Sequence, residues 1–116
     1  MQTFVAYTNA LELVRTLVPI IAALKKHSSE QSDQLERAAS SMVLNIAEGS
    51  RRQGKDPRRF YSFANGSASE IRAVLDLAQA LGWRLDDARA RQVLDRQLGL
   101  LWGLVHGKRA SGSADR

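Results

Sequence analysis

Polar side chains that could carry chemistry recur at helical spacing near the middle of the chain. They follow one another at steps of four, three and four residues, and they are Ser41, Asn45, Glu48 and Arg52. Residues three and four apart share one face of a helix, so this spacing predicts a polar ridge. Glu48 precedes Arg52 by four residues, which is the favourable order for an ion pair on a helix. We hypothesise that Glu48 pairs with Arg52 or with an arginine of a neighbouring subunit.

A later segment carries a second carboxylate, Glu70, beside a stripe of small residues that includes Gly66. Small residues let helices approach closely, within one subunit or between subunits. Glu48 and Glu70 could meet across two helices as a general acid and a general base. Polar residues in helical bundles more often fix the register and the choice of partner. We favour that structural role for Asn45, Glu48 and Glu70.

A dense run of basic residues follows the polar ridge. It consists of Arg51, Arg52, Lys55, Arg58 and Arg59. The run spans a polar link and the start of a predicted helix, where free backbone amides attract phosphate. Arginine side chains also match the geometry of phosphate oxygens. We expect this basic cluster to bind RNA or DNA, and the alternative is a surface charged only for solubility.

Aromatic residues adjoin the basic cluster and could stack on bases. Phe60 and Phe63 fit the apolar seam of the predicted helix, so we assign both rings to the core. Tyr61 lies between them in the sequence and off the seam. We therefore expect Tyr61 to be the aromatic side chain that is available to nucleic acid.

Metal chemistry and nucleophilic catalysis find little support in the sequence. The chain has no cysteine, which excludes disulfides, thiolate ligands and a cysteine nucleophile. Its two histidines, His27 and His106, lack the Glu-x-x-His spacing of di-iron helical bundles. No serine has a base at a spacing that would activate it. We expect no enzymatic activity, no metal and no cofactor.

The composition is that of one ordinary globular domain. The chain has 116 residues, of which 44% are hydrophobic and 25% charged. Its formal net charge is +5 and most of its basic residues are arginine, which favours an anionic partner. The start lacks the features of a signal peptide, and the apolar runs look too short to span a membrane. We expect a cytoplasmic protein with no membrane contact.

Helical periodicity organises the first half of the chain. The first predicted helix runs to about Lys26 and contains Pro19, where we expect a kink. Its buried stripe is predicted to be Phe4, Tyr7, Leu11, Val14, Val18 and Ile21. Ser28 with Gln31 has the spacing of a capping box and predicts the start of a second helix. The buried seam of that helix is predicted to be Leu35, Ala39, Met42 and Ile46.

Two further helices are predicted in the second half. Asp56 followed by Pro57 predicts the start of the third helix. The seam of that helix is predicted to be Phe60, Ala64, Ser67, Ile71, Val74, Ala78 and Leu81. Asp86 or Asp87 is expected to cap the fourth helix. The stripe of the fourth helix is predicted to be Leu94, Leu98, Leu101 and Val105.

Four helices joined by short links predict an all-α fold, an up-down-up-down antiparallel four-helix bundle. We assign residues 1–106 to this bundle and residues 107–116, which are rich in glycine, serine and charge, to a flexible tail. Gly82 is expected to end the third helix, and Trp83 to fold back on the bundle. Arginines 84 to 96 alternate with aspartates, which predicts a solvated, salt-bridged face.

Two blocks of sequence carry a family resemblance. The run from Gln34 to Arg52, with Asn-Ile-Ala-Glu-Gly at its centre, is one block. The other runs from Phe60 to Ile71 and has an aromatic residue, an Ala-x-Gly-Ser step and then a glutamate. Together they resemble the signature of the "four helix bundle protein" family, also called 23S rRNA-intervening-sequence protein.

The resemblance implies a binding protein or scaffold rather than an enzyme. Members of that family have no established enzymatic activity and are often encoded inside insertions in ribosomal RNA genes. A related branch, the accessory protein of diversity-generating retroelements, binds nucleic acid and a reverse transcriptase. Members tend to form ring-like homopentamers, so we expect a homo-oligomer, with a pentamer as the first guess. Residues expected to serve packing within or between subunits are Asn45, Glu48, Gly49, Gly66, Ser67 and Glu70.

The sequence leaves two functions open. The first is a homo-oligomeric scaffold that binds RNA or DNA through the basic cluster and Tyr61. The second is an adaptor that recruits a protein partner and has no role in nucleic-acid binding. A small-molecule or hydrolytic site between the second and third helices would need a cavity that holds Asn45, Glu48 and Glu70.

Overall fold

A computed structural model describes residues 2–54 and 56–107 of the chain. These residues form four helices and no strand: α1 (Gln2–Lys25), α2 (Ser29–Ser50), α3 (Asp56–Ala80) and α4 (Ala88–His106). Each helix packs against two others, in the pairs α1–α2, α2–α3, α3–α4 and α4–α1. The prediction of an all-α four-helix bundle is confirmed. Lys55 and residues 108–116 lie outside the described residues, so most of the predicted tail does too.

The helix ends follow the predicted signals. The Ser28 hydroxyl accepts a hydrogen bond from the Gln31 amide at 3.1 Å and caps α2. After α3, Gly82 adopts a left-handed backbone with φ of 79°. The amide of Trp83 then donates to the Ala78 carbonyl at 2.9 Å, which completes the glycine-terminated motif typical of helix ends. Trp83 folds back as predicted, and its ring stacks on His27 with centroids 5.2 Å apart.

Asp87 precedes α4, but its side chain does not cap the helix. Its carboxylate instead accepts from the Arg91 side chain at 3.0 Å, and Arg91 also donates to Asp76 at 2.8 Å. The hydrogen bond that Arg91 donates to Asp76 raises the pKa of Arg91, and the bond to Asp87 raises it to a smaller extent. The predicted salt-bridged face is therefore present on α3 and α4 around Arg91.

The predicted seams of α2, α3 and α4 account for most of the core. Buried members of those seams are Leu35, Ala39, Met42, Ile46, Ala64, Ile71, Val74, Ala78, Leu94 and Leu101. Of the other predicted members, Leu81 is exposed because it follows the last residue of α3, and four are half-buried: Phe60, Ser67, Leu98 and Val105. Amphipathic stripes on three helices thus fix how those helices face one another.

The predicted stripe of α1 is wrong at Phe4 and Val18, whereas Tyr7, Val14 and Ile21 are half-buried against the core. The side chains that α1 buries are Ala6, Asn9, Ala10, Leu13, Leu17, Ile20 and Leu24. Phe4 and Val18, which the prediction placed in the core, are 62% and 60% exposed. The helix is apolar on two faces, and the face that carries Ala6 and Ala10 turns inward, where small residues allow closer helix packing. The α-helix also continues through Pro19 without interruption.

By length and composition alone, α1 is long and apolar enough to cross a membrane. It has 24 residues, and its most apolar window has a mean hydropathy of 1.3. This corrects the expectation that every apolar run is too short to span a bilayer. The core helix of a soluble protein can have the same properties, and a third of this window, 33%, is buried in the bundle. The hydropathy of α1 thus reflects its second, outward apolar face as well as its core face.

A buried amide pair joins α1 to α4. The Asn9 amide nitrogen donates to the Gln97 side chain at 2.8 Å and to the Val93 carbonyl at 3.2 Å. Gln97 is completely buried and donates to the Ala6 carbonyl at 3.1 Å. Hydrogen-bonded polar groups in an apolar core favour one register of the two helices over others.

Candidate nucleic-acid interface

The C-terminal end of α2 is organised around one carboxylate. Glu48 accepts hydrogen bonds from Arg51 at 2.6 Å and from Arg52 at 3.0 Å. The hypothesis that Glu48 pairs with Arg52 is confirmed, and Arg51 shares the same carboxylate. Arg52 also donates to Asp56, in the first turn of α3, at 3.3 Å. The hydrogen bonds from Arg51 and Arg52 hold the pKa of Glu48 below its usual value of 4.5, and the bond from Arg51 has the larger effect.

The basic cluster divides into paired and unpaired arginines. Arg51 and Arg52 are neutralised in part by Glu48 and Asp56. Arg58 and Arg59 make no ion pair with any carboxylate in residues 2–54 and 56–107. Within the described part of the chain, Arg58 donates only to the Gly107 carbonyl, at 3.5 Å. The surface around the first turn of α3 therefore keeps an excess of positive charge.

Two guanidinium groups lie over the ring of Phe60. The Arg52 and Arg59 carbons are 4.7 and 5.0 Å from the ring centroid, which is within the range of cation–π contacts. Phe63 meets Phe60 edge to face, with centroids 5.8 Å apart and planes at 86°. Phe63 is 50% exposed. The aromatic side chains beside the arginines are thus Phe60 and Phe63.

The expectation that Tyr61 is available for base stacking is wrong. Only 7% of Tyr61 is exposed, and its hydroxyl lies 3.1 Å from the Thr3 hydroxyl of α1. Its ring packs against Gly49, where a side-chain carbon would lie 2.6 Å from the Tyr61 Cε1 atom. The predicted seam is correct at Ala64 and Ile71, so the error is confined to the start of α3, where Tyr61 and not Phe60 faces the neighbouring helices.

The polar ridge of α2 is bound to α3 through two serines. The Ser67 and Ser41 hydroxyls are hydrogen-bonded at 3.0 Å. The Asn45 amide donates to the Ser41 carbonyl at 2.9 Å and to its hydroxyl at 3.1 Å. Asn45 and Ser67 thus both bond to Ser41, and the Ser41–Ser67 hydrogen bond joins the two helices; the structural role of these residues stays a prediction.

Glu70 and Gly66 lie outside this contact. Because Ser41 is opposite Ser67 in an antiparallel pair, Glu48 and Glu70 are about 15 Å apart along the bundle at 1.5 Å per residue. Glu70 and Gly66 are exposed, and a side-chain carbon at Gly66 would meet nothing within 4 Å. Glu48 and Glu70 therefore do not form an acid–base pair, and a role of Gly66 between subunits stays a prediction.

The described residues include no group of three or more side chains suited to hold a metal ion. The residues that sequence reasoning missed are Phe63, Asn9 and Gln97. Phe63 was assigned to the core because it is apolar. Its position four residues after Arg59, however, places the two side chains on one face of α3. Asn9 and Gln97 are too far apart in the sequence for any local pattern to join them.

The four-helix fold is consistent with the family that the sequence matches. No curated protein matches the chain in a sequence comparison. The sequence model of the 23S rRNA-intervening sequence protein family matches residues 2–96, which cover α1, α2, α3 and the first half of α4. The chain therefore belongs to the 23S rRNA-intervening sequence protein family.

Proposed function

We propose that this protein is a cytoplasmic, non-enzymatic homo-oligomeric scaffold that binds nucleic acid through the basic surface between α2 and α3. The observation that carries the proposal is the pair of guanidinium groups on the first turn of α3, Arg58 and Arg59. No carboxylate of the described residues pairs with them. Lys55, by sequence, adds a further positive charge to the same segment.

Phosphate is the ligand chemistry that this surface suits best. Guanidinium groups donate two parallel hydrogen bonds to phosphate oxygens, and the free amides of a helix N-terminus attract the same anion. The two effects coincide at α3, because Arg58 and Arg59 lie in its first turn. In a ring of subunits, several copies of this surface would add to one extended positive field.

A salt titration of nucleic-acid binding tests the proposal. Affinity should fall linearly on a log–log plot with salt, with a slope of about −0.9 per neutralised phosphate of duplex DNA. The double variant R58Q/R59Q should bind more weakly and have a shallower slope. R72Q/R84Q removes the same charge from exposed positions elsewhere and should bind as wild type does. Absence of binding at low salt would refute the proposal.

Homo-oligomerisation is supported by the outward face of α1. A groove of about 500 Å³ runs between α1 and α2, lined mainly by Leu11, Val14, Val18, Ile21, Val43 and Leu44. Apolar helix faces of this extent are normally covered in the functional protein. We expect a mass of five times the 12.8 kDa subunit in light scattering, by analogy with ring-forming members of the family.

The second candidate is a protein-interaction adaptor without a role in nucleic-acid binding. The same α1–α2 groove favours it, since an amphipathic helix of another protein could fill an apolar groove between helices. The two functions separate experimentally. An adaptor would retain its protein partner after nuclease treatment and would retain it in R58Q/R59Q, whereas a nucleic-acid scaffold would lose partners that are bridged by nucleic acid.

A further inference from the structure

An exposed aromatic ring lies within the basic surface between α2 and α3. Phe63 is one of the exposed large apolar side chains of the described residues, at 50%. The Arg59 guanidinium carbon is 5.9 Å from its ring centroid and 5.0 Å from that of Phe60. We call Arg52, Arg59, Phe60 and Phe63 the aromatic–arginine cluster.

The two rings of this cluster are not equivalent. Phe60 is half-buried, and both Arg52 and Arg59 lie over it. Phe63 meets Phe60 edge to face and has one guanidinium at the outer limit of a cation–π contact. Phe60 therefore positions the arginines, while half of the Phe63 side chain remains exposed to solvent.

An open aromatic face beside arginines fits unpaired bases. Single-stranded nucleic acid is bound by basic surfaces that follow its backbone and by aromatic rings on which bases stack. A duplex hides the faces of its bases between neighbouring base pairs, so a ring on a protein surface cannot stack on them without opening the helix. Phe63 adds binding energy only for a strand whose bases are free.

The spacing of Arg59 and Phe63 places a charge and a ring on one helix face. They are four residues apart on α3, and side chains at that spacing are neighbours. A base stacked on Phe63 would thus carry its phosphate toward Arg59 and Arg52. An exposed phenylalanine without charged neighbours would not indicate a contact with nucleic acid.

We propose that the nucleic acid bound by this protein is single-stranded, and that one of its bases stacks on Phe63 while Arg52 and Arg59 contact its backbone. This inference rests on the proposed function and narrows it to one class of nucleic acid. The site needs no sequence preference, because every base presents an aromatic face.

Fluorescence anisotropy with a labelled single strand and with the duplex of the same sequence tests the inference. Wild-type protein should bind the single strand more tightly than the duplex. F63L keeps an apolar side chain but removes the ring, and it should weaken single-strand binding about tenfold, the order measured for one stacked base. It should leave duplex affinity and the salt slope unchanged, since no charge is lost.

Two further variants control the measurement. L77A removes apolar side-chain carbons at an exposed position of α3 about 21 Å beyond Phe63 along the helix, and should leave single-strand affinity unchanged. F63Y keeps an aromatic ring and should retain wild-type affinity for the single strand. Because F63Y differs from wild type by one hydroxyl, it also separates loss of stacking from any folding defect in F63L.

The outcomes distinguish this inference from the proposed function. Equal binding of duplex and single strand, with no effect of F63L, would overturn the inference and leave nucleic-acid binding intact. Absence of binding to either probe at low salt would refute the proposed function and the inference together. A change of oligomeric mass in F63L and F63Y alike would identify Phe63 as a subunit contact, and would also overturn the inference.

Discussion

Tyr61 occupies the space that any side chain at Gly49 would need. The Cε1 atom of Tyr61 lies 2.6 Å from the position of a side-chain carbon built on Gly49. Real carbon atoms do not approach so closely, so the glycine lets α2 and the tyrosine of α3 come into contact. The Tyr61 hydroxyl then reaches Thr3 of α1, at 3.1 Å. One missing side chain thus allows three helices to meet below the basic surface.

Gly49→Ala should destabilise the protein. The added methyl group forces Tyr61 to move, and overpacking of this kind costs about 1–3 kcal/mol. The gain in helix propensity from glycine to alanine, about 1 kcal/mol, offsets only part of it. We expect a net loss of up to about 2 kcal/mol in the free energy of unfolding, measured by urea denaturation. Gly99→Ala in α4, where nothing lies within 4 Å, should stabilise instead. A G49A protein as stable as wild type would contradict the close contact.

The ion pairs of Glu48 should make stability depend on pH. Arg51 and then Arg52 lower the pKa of the Glu48 carboxyl below 4.5. A carboxyl whose pKa is lower in the folded state stabilises the fold fully above its unfolded pKa, and loses that contribution as pH falls through the folded value. Wild type should therefore be more stable than Glu48→Gln at neutral pH, with the difference disappearing below pH 4.5. The effect is small because the pair is exposed to solvent.

Urea denaturation of both proteins at several pH values measures this difference. Glu70→Gln is a suitable control, since Glu70 is exposed and forms no ion pair with the described residues. A stability difference between wild type and E48Q that is the same at neutral pH and in acid would contradict the prediction.

The Asn9–Gln97 pair should show strong energetic coupling. Gln97→Leu removes one of the two hydrogen bonds that the buried Asn9 amide nitrogen donates and the side-chain hydrogen bond to the Ala6 carbonyl, which should cost about 1–3 kcal/mol. Replacing both polar residues together also removes the buried amide that lost a partner, so the double variant N9L/Q97L should lose less than the sum of the single variants. A double-mutant cycle measured by urea denaturation tests this coupling. Additive losses would show that the two amides contribute independently.

Local patterns predicted α2, α3 and α4 because each of these helices has one apolar face and one polar face. Leu35 and Met42, for example, lie opposite charged positions, so periodicity alone identifies the core side. α1 is apolar on both faces, and hydropathy then ranks Phe4 above Ala6 although Ala6 is the buried one. Only the close approach of a neighbouring helix decides between the two faces, and that information is not local.

The ion pair of the candidate site could be predicted from the sequence, whereas the burial of its aromatic side chains could not. The Glu48–Arg52 pair follows from a four-residue spacing on one helix, which fixes the distance before any tertiary contact forms. Tyr61 and Phe60 differ by one residue, and their burial depends on how α3 rotates against Gly49 and Thr3. The rotation of α3 is therefore set by contacts between helices, which the sequence pattern does not contain.

The outward face of α1 should hold the subunits together. Val18 and Leu44 are 60% and 66% exposed and line the same groove between α1 and α2. A lysine at each position would place two charges in an apolar contact, and unpaired charges are costly to bury. Val18→Lys/Leu44→Lys should reduce the mass in light scattering to that of the 12.8 kDa subunit. Helicity by circular dichroism should persist, because both side chains point away from the core.

Leu77→Lys/Leu81→Lys is the matched control for this variant. Both leucines are exposed, one on α3 and one just after it, and neither lines the α1–α2 groove. The control should keep the oligomeric mass of wild type. If the control dissociates and the groove variant does not, the subunits meet through α3 instead, and the apolar face of α1 would need another explanation. If wild type itself has the mass of one subunit, the groove is left for a different protein, and the adaptor function gains support over the scaffold.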